Sequence, residues 1–207
     1  MAPSGRERAY TFVKKEVLTD PSMQGTFINE QALADRIGVS RTPIREALLM
    51  LAAQDLLRLV PKRGAYIAPM SNRELTDLVA VRTMIEKHSV FHILDFQSTM
   101  DEMQDVLATQ NLLRRKPKHR EFIELDMRFH TTLVRSNGNE ILTRMYEGLR
   151  DRQVTAGMIA LARNPDRQEA VLDEHARILN ALVACDFAAA AQAIEDHLKS
   201  TLRVQLG

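Results

Sequence analysis

Cys185 is the only cysteine among 207 residues, and tryptophan is absent. One thiol can build neither a disulfide framework nor a multi-thiolate zinc site, so the reading is a free core thiol in a reducing cytosol. Ten Met beside seven Phe suggest a core that fills gaps with pliable side chains. Long apolar runs are missing as well. Residues 1–25 are interrupted by Arg6, Glu7, Arg8, Lys14, Lys15 and Glu16, which leaves no stretch for a signal peptide, and no later run approaches a membrane span. A cytoplasmic protein with no membrane partner is the expectation. Nor is there an excess of one charge: 28 basic residues face 27 acidic ones. Residues 1–70 carry a net +3 and residues 71–207 a net −2, an asymmetry too mild to imply a nucleic-acid partner by itself. No repeat or low-complexity tract is visible.

An apolar content of 45% is ample for a core. The grammar of the chain changes near Pro69. Ser71-Asn72-Arg73-Glu74 is a capping box, in which Ser71 and Glu74 each satisfy a backbone donor at a helix start. The expected domains are therefore 1–70 and 71–207. In the first, Tyr10, Val13 and Val17 mark one face of a helix over residues 6–18. Asn29 caps a short helix through Ile37 that Gly38 ends, and Ser40 caps another running to about Ala53, with Pro43 tolerated in its first turn. Residues 57–60, Pro61-Lys62-Arg63-Gly64 and 65–68 read as strand, turn and strand. The sum is a winged helix-turn-helix. In the second domain, Asn137-Gly138, Asn164-Pro165 and Cys185-Asp186 separate about six helices, near 72–94, 99–115, 118–136, 139–162, 166–184 and 186–206. The fold class is mostly α, with a winged helix-turn-helix followed by an antiparallel α-helical bundle.

Sequence in DNA is read by side chains on a helix that fits the major groove, whereas phosphates attract basic and hydroxyl groups. Arg41 and Arg45 share a face on the first two turns of the second helix and can each fork onto a guanine edge. Ser40 and Thr42 are candidate phosphate donors. Lys62, Arg63 and Gly64 form a basic, close-turning wing tip. Inside this pattern, the run from Asn29 to Leu48, with its Val39-Ser40-Arg41-Thr42-Pro43-Ile44-Arg45-Glu46-Ala47-Leu48 core, and the wing Pro61 to Ile67 closely resemble the GntR family of bacterial regulators. Relatives often place Arg where this chain has Gln31, a departure that bears on one direct contact. The resemblance implies binding to double-stranded, pseudo-palindromic operator DNA by a homodimer.

The bundle carries polar groups on stripes that should be buried. Arg82 falls among Leu75, Leu78, Val79, Ile85 and Ser89, and a buried guanidinium asks for a carboxylate, either internal or a ligand's. Asp126 and His130 lie one turn apart on the face of Phe122, Phe129 and Leu133. His175 and His197 share stripes with Leu172, Ile178, Leu179 and Leu182, and with Ala190 and Ile194. If the chain reverses at Cys185-Asp186, these two histidines both lie roughly 15 Å from the turn and can meet across antiparallel helices. One carboxylate and three imidazoles suit a divalent first-row ion such as Zn, Ni, Mn or Fe, leaving up to two positions of an octahedral ion for water or a ligand oxygen. His88 and His92 are also four apart, but no further ligand falls beside them. His119 sits in a basic connector.

This segment resembles the FCD type of GntR effector domain, through Leu78 to Arg82, Asp126 to His130, Asn139 to Leu142, Glu174-His175 and Glu195 to Leu198. A count of six helices resembles the shorter VanR-like subgroup. The resemblance implies a metal at Asp126, His130, His175 and His197, and a small organic acid effector held at Arg82. The functional expectation is a transcriptional repressor with no enzymatic activity. Two alternatives stand beside it: a metal-dependent enzyme built on the bundle, and an architectural DNA-binding protein whose bundle only dimerises.

Overall fold

The computed structural model describes residues 3–207, which divide between two compact units at Met70/Ser71. In the first, α1 (Gly5–Phe12) starts at a Ser4/Glu7 capping box and runs on through a wider π-helical turn at Val13–Val17. Asn29 Oδ1 accepts the Ala32 N–H and opens α2 (Glu30–Ile37), which Gly38 closes at φ +71. Helix α3 (Arg41–Ala52) follows. Ser40 stands at its N-cap with extended backbone, yet the side chain makes no capping bond. Pro43 occupies the third helical position and has no N–H, which removes one of the two donors a cap uses. The wing pairs β1 (Arg58–Val60) with β2 (Gly64–Tyr66), antiparallel, with Leu59 opposite Ala65; the second strand is one residue earlier than the alternation suggests. Phe27 bridges to Tyr66 at its free edge. Ala9, Val13, Ile44, Leu48, Leu51 and Ile67 form the heart of this unit's core.

The second unit is all helix: α4 (Asn72–Val90), α5 (Phe96–Asn111), α6 (His119–Arg135), α7 (Glu140–Gly148), α8 (Arg150–Arg163), α9 (Arg167–Val183) and α10 (Phe187–Leu206). The helix expected over 139–162 is two helices. At the break, the Leu149 N–H turns back to the Tyr146 and Glu147 carbonyls, three-residue and two-residue steps that interrupt the α ladder next to Gly148, a weak helix former. The break lets α7 pack on α4 and α6 while α8 lies against α6 and α10. Ser71 and Glu74 form the reciprocal box at the start of α4. Between α9 and α10, Cys185 takes φ +55 and the Asp186 carboxylate caps α10 through the Ala189 N–H, so the chain reverses there, and the thiol, expected in the core, is exposed on the turn. Phe122, Phe129 and Leu133 of α6 meet Met103, Leu172, Ile178, Leu182 and Ile194 in the main core.

Phe122 is fully buried at the centre of that cluster. Phe122→Ala is expected to lower the unfolding free energy of the bundle by about 3–5 kcal/mol, read from the denaturant midpoint; an unchanged midpoint would place Phe122 outside the core.

Candidate functional site

The residues expected to read DNA lie on α3 and the wing. Ser40, Arg41, Thr42 and Arg45 are all exposed, and so are Lys62 and Arg63 at the wing tip. Lys62 takes φ +63 and Gly64 φ +96, the left-handed pair that closes the turn. The Arg63 guanidinium rests over the Phe27 ring, 4.3 Å from its centroid. A residue with no role in the motif as read from sequence organises the arginines: Glu30 Oε2 accepts from Arg45 Nε at 2.8 Å and from Arg41 Nη2 at 3.3 Å. Partial burial opposes ionisation of Glu30, but the two guanidiniums prevail and hold its carboxyl below the usual range. Gln31 is turned along its own helix, its amide donating to Asp35 at 2.9 Å.

In the second unit, α6, α9 and α10 bring Asp126, His130, His175 and His197 together. All four are buried, and each offers an atom within 4.8 Å of the others'. This is the only such group among the described residues. The reversal at Cys185 sets the His175 and His197 rings 4.9 Å apart, and Phe129 stacks on His175 at 4.3 Å. The outer nitrogens face oxygens. His197 Nδ1 is hydrogen-bonded to Glu174 Oε2 at 2.7 Å and His175 Nδ1 to Gln110 Oε1 at 2.9 Å, while His130 Nδ1 lies 2.7 Å from Glu86 Oε2 without hydrogen-bond geometry. An imidazole whose Nδ1 meets an acceptor keeps its proton there and turns the Nε2 lone pair inward. The inner atoms lie close together: His130 Nε2 is 3.2 Å from His197 Nε2, a hydrogen bond when one of the two rings carries its proton there, and His175 Nε2 is 3.3 Å from Asp126 Oδ1 without a hydrogen bond. One carboxylate oxygen and three imidazole nitrogens converging within 4.8 Å in a buried site are a donor set that fits a divalent ion.

Glu86 and Glu174 were not picked out from sequence in this role. Glu86 Oε1 accepts from Arg82 Nε at 2.8 Å and from the Tyr146 hydroxyl at 2.7 Å, while Arg167 grips Glu174 through both terminal nitrogens. The i, i+4 spacing of Arg82 and Glu86 on one stripe was a legible signal. Arg82 therefore has an internal acid, yet its Nη2 has no partner and the residue lines a cavity shared with Asp126, His197, Gln153, Arg167 and Gln205. His88 and His92 stack on each other at the exposed end of α4, and no acid joins them. His119, the first residue of α6, takes no part in the cluster.

The FCD domain family matches residues 77–200, and the family of bacterial regulatory proteins named gntR matches residues 6–67. The chain is 28% identical over 200 residues to an HTH-type transcriptional regulator of Streptomyces ambofaciens, covering 95% of this chain and 83% of that one. It is 28% identical over 206 residues to the HTH-type transcriptional repressor GlaR of Escherichia coli, covering 94% and 93%. The fold matches a putative GntR regulator of Rhodococcus with a TM-score of 0.80 at 18% identity, over 99% of both chains. The chain belongs to the gntR family of bacterial regulatory proteins and carries its FCD domain. It is a transcription regulator; the family and these relatives are regulators and not enzymes, which counts against the metal-dependent enzyme set beside this reading.

Burial pushes His197 down to about 3 and lowers His175 too, despite the carboxylates beside them. Their folded affinity for protons lies below the unfolded one, so the stability they contribute is complete above about pH 6.5 and is lost as pH falls toward 3. Glu174, held at about 2 against its burial by His197 and Arg167, adds a loss in the same direction below about pH 4.5. In chelator-treated protein the melting temperature should be flat above neutrality and fall from about pH 6.5 downward. His197→Gln should flatten the upper part of that fall, and a curve unchanged by the substitution would contradict the assignment.

Proposed function

We propose that the chain is an operator-binding repressor, in which residues 1–70 read DNA and residues 71–207 dimerise and sense a small organic acid. The observation that carries the sensing half is the convergence of Asp126, His130, His175 and His197 beside an Arg82 nitrogen that has no partner. These four side chains would hold a divalent ion, with Zn, Ni, Mn and Fe all compatible with the donor set. When bound, the ion supplies positive charge for an effector carboxylate, and Arg82 Nη2 supplies a directed hydrogen bond.

Charge balance supports the same reading. The buried ionised groups are Glu86, Asp126 and Glu174 against Arg82 and Arg167, one negative charge in excess. Uncompensated charge in a core is costly. A divalent cation leaves one positive charge in excess, and a monocarboxylate on that cation brings the site to neutrality.

On the DNA side, Glu30 holds Arg41 and Arg45 with their remaining donors free for guanine O6 and N7, while Ser40, Thr42, Lys62, Arg63 and Gly64 would position the reader on the phosphates. Two protomers would present α3 to successive major-groove segments of a pseudo-palindromic operator. Arg82 and Glu86 lie on α4, the helix that follows the wing directly in the chain, so an effector that loads Arg82 acts on the element joined to the reader. A small change in half-site spacing then costs affinity.

Purified protein should contain about one transition-metal ion per chain. Chelation or His175→Ala should lower the melting temperature and abolish any release from operator DNA by carboxylates in a gel-shift assay. Metal-free protein with an intact carboxylate response would sink the reading. Arg45→Ala should weaken operator binding by about 1–3 kcal/mol and leave weak binding to random DNA nearly unchanged; equal losses on both would make Arg45 a phosphate contact.

A further inference from the structure

Helix α3 buries Ile44, Ala47, Leu48 and Leu51 but leaves Leu49 57% exposed, the most exposed large apolar side chain among the described residues of the first unit. A single leucine in water needs no explanation. Its register does. Arg41, Arg45 and Leu49 follow one another at intervals of four, and Thr42 lies seven residues before Leu49, so all four fall on one flank of the helix. Leu49 stands one turn beyond Arg45, about 6 Å further along the axis. Glu30 gathers the two guanidiniums at the start of this row and makes no bond to its far end. Met50, the next residue, is turned away by about 100° and stands outside the row.

The row is therefore two cations followed by an apolar group, and the groove of DNA has a counterpart for each. A helix laid in the major groove meets hydrogen-bonding edges at every base pair but an apolar group on only one base, the C5-methyl of thymine. Guanidiniums suit the edges. Leucine can neither donate nor accept, and the charged phosphates along the groove walls give it nothing to be buried against, so the methyl is the one feature of the groove that it can cover. Bases on one strand are spaced by about 3.4 Å. A side chain about 6 Å beyond Arg45 accordingly falls about two base pairs from the base that Arg45 meets.

We propose that Leu49 is a specificity-determining residue that packs on a thymine methyl about two base pairs from the guanine read by Arg45, once in each half of the operator. This rests on the reading of α3 as the DNA reader, and it adds a contact that no hydrogen bond supplies. Covering one methyl takes about one carbon's worth of apolar surface out of water, which is a factor of about four in affinity. Two protomers on a two-fold duplex bring that to roughly tenfold or more.

The probe is a duplex selected by the full chain from a randomised library, in which each thymine is then replaced by deoxyuridine. That exchange removes the methyl and keeps every hydrogen-bonding group of the base. In anisotropy titrations, one thymine per half-site should cost roughly tenfold when both copies are replaced, and the other thymines should cost little. Leu49→Ala should weaken binding to the thymine duplex by the same factor and bind the thymine and deoxyuridine duplexes alike. Its melting temperature should be unchanged, because the side chain is exposed, and Leu49→Met should keep part of the preference. A selected sequence with no thymine at that position, or deoxyuridine without effect at every thymine, overturns the proposal; a guanine whose choice Arg45→Ala still relaxes leaves the reading of α3 standing. Selection that yields no preferred sequence brings down both. Equal weakening of Leu49→Ala on the two duplexes overturns the proposal as well, and a change in the number of chains bound per duplex would then place Leu49 against a second copy of the chain.

Discussion

Three imidazoles and a carboxylate occupy the middle of the helical bundle, and most of the polar architecture around them serves to satisfy their outer sides. An unpaired polar group in a core costs as much as several apolar contacts return. Each histidine accordingly has an oxygen behind it, and the two carboxylates among those oxygens have an arginine behind them: Arg82 for Glu86 and Arg167 for Glu174. The network draws on α4, α5, α6, α7, α9 and α10, through Glu86, Gln110, His130, Tyr146, Glu174 and His197. Any rotation of one helix about its axis would strand several groups at once. This interlock sets the positions of four donor atoms more tightly than apolar packing does, since apolar side chains exchange neighbours at little cost.

The same shell also determines the chemistry open to the centre. The His175 and His197 rings, whose Nδ1 protons are donated outward, have a fixed tautomer and a fixed direction for the remaining lone pair. Glu86 is shared: His130, Arg82 and Tyr146 all address its two oxygens. Arg82, through Glu86, therefore stands one close contact away from a histidine of the cluster. In the first unit Glu30 has the parallel task of gathering two guanidiniums on one carboxylate, which restricts the freedom of two long side chains.

Sequence identity of 28% to regulators across nearly the whole chain goes with a shared scaffold. Effector preference can diverge within such a family, because it resides in the few polar atoms that line a cavity and not in the core that supports it. Gln153, Arg167 and Gln205 lie on the helices whose small or apolar neighbours, Ala156, Gly157 and Val171, complete the cavity wall.

The order of helices, the wing, the capping box at Ser71 and the four polar residues on apolar stripes were legible in the amino-acid sequence, since each depends on local spacing: 3.6 residues per turn, a cap three residues from its partner, a glycine where a left-handed turn is required. Even the meeting of His175 and His197 followed from equal distances to one turn. Three things were decided only by tertiary structure. The break at Leu149 is stabilised by distant contacts, because Tyr146 reaches Glu86 sixty residues away in sequence while α8 turns to another neighbour. The tethering of Arg41 and Arg45 by Glu30 joins two helices across a turn. The isolation of Gln153, buried on α8 with neither amide atom in a hydrogen bond, is a matter of what fails to surround it, and no periodicity in a sequence records a missing partner. Local rules determine which face a residue occupies; only the assembled neighbours determine whether a polar atom on that face is satisfied.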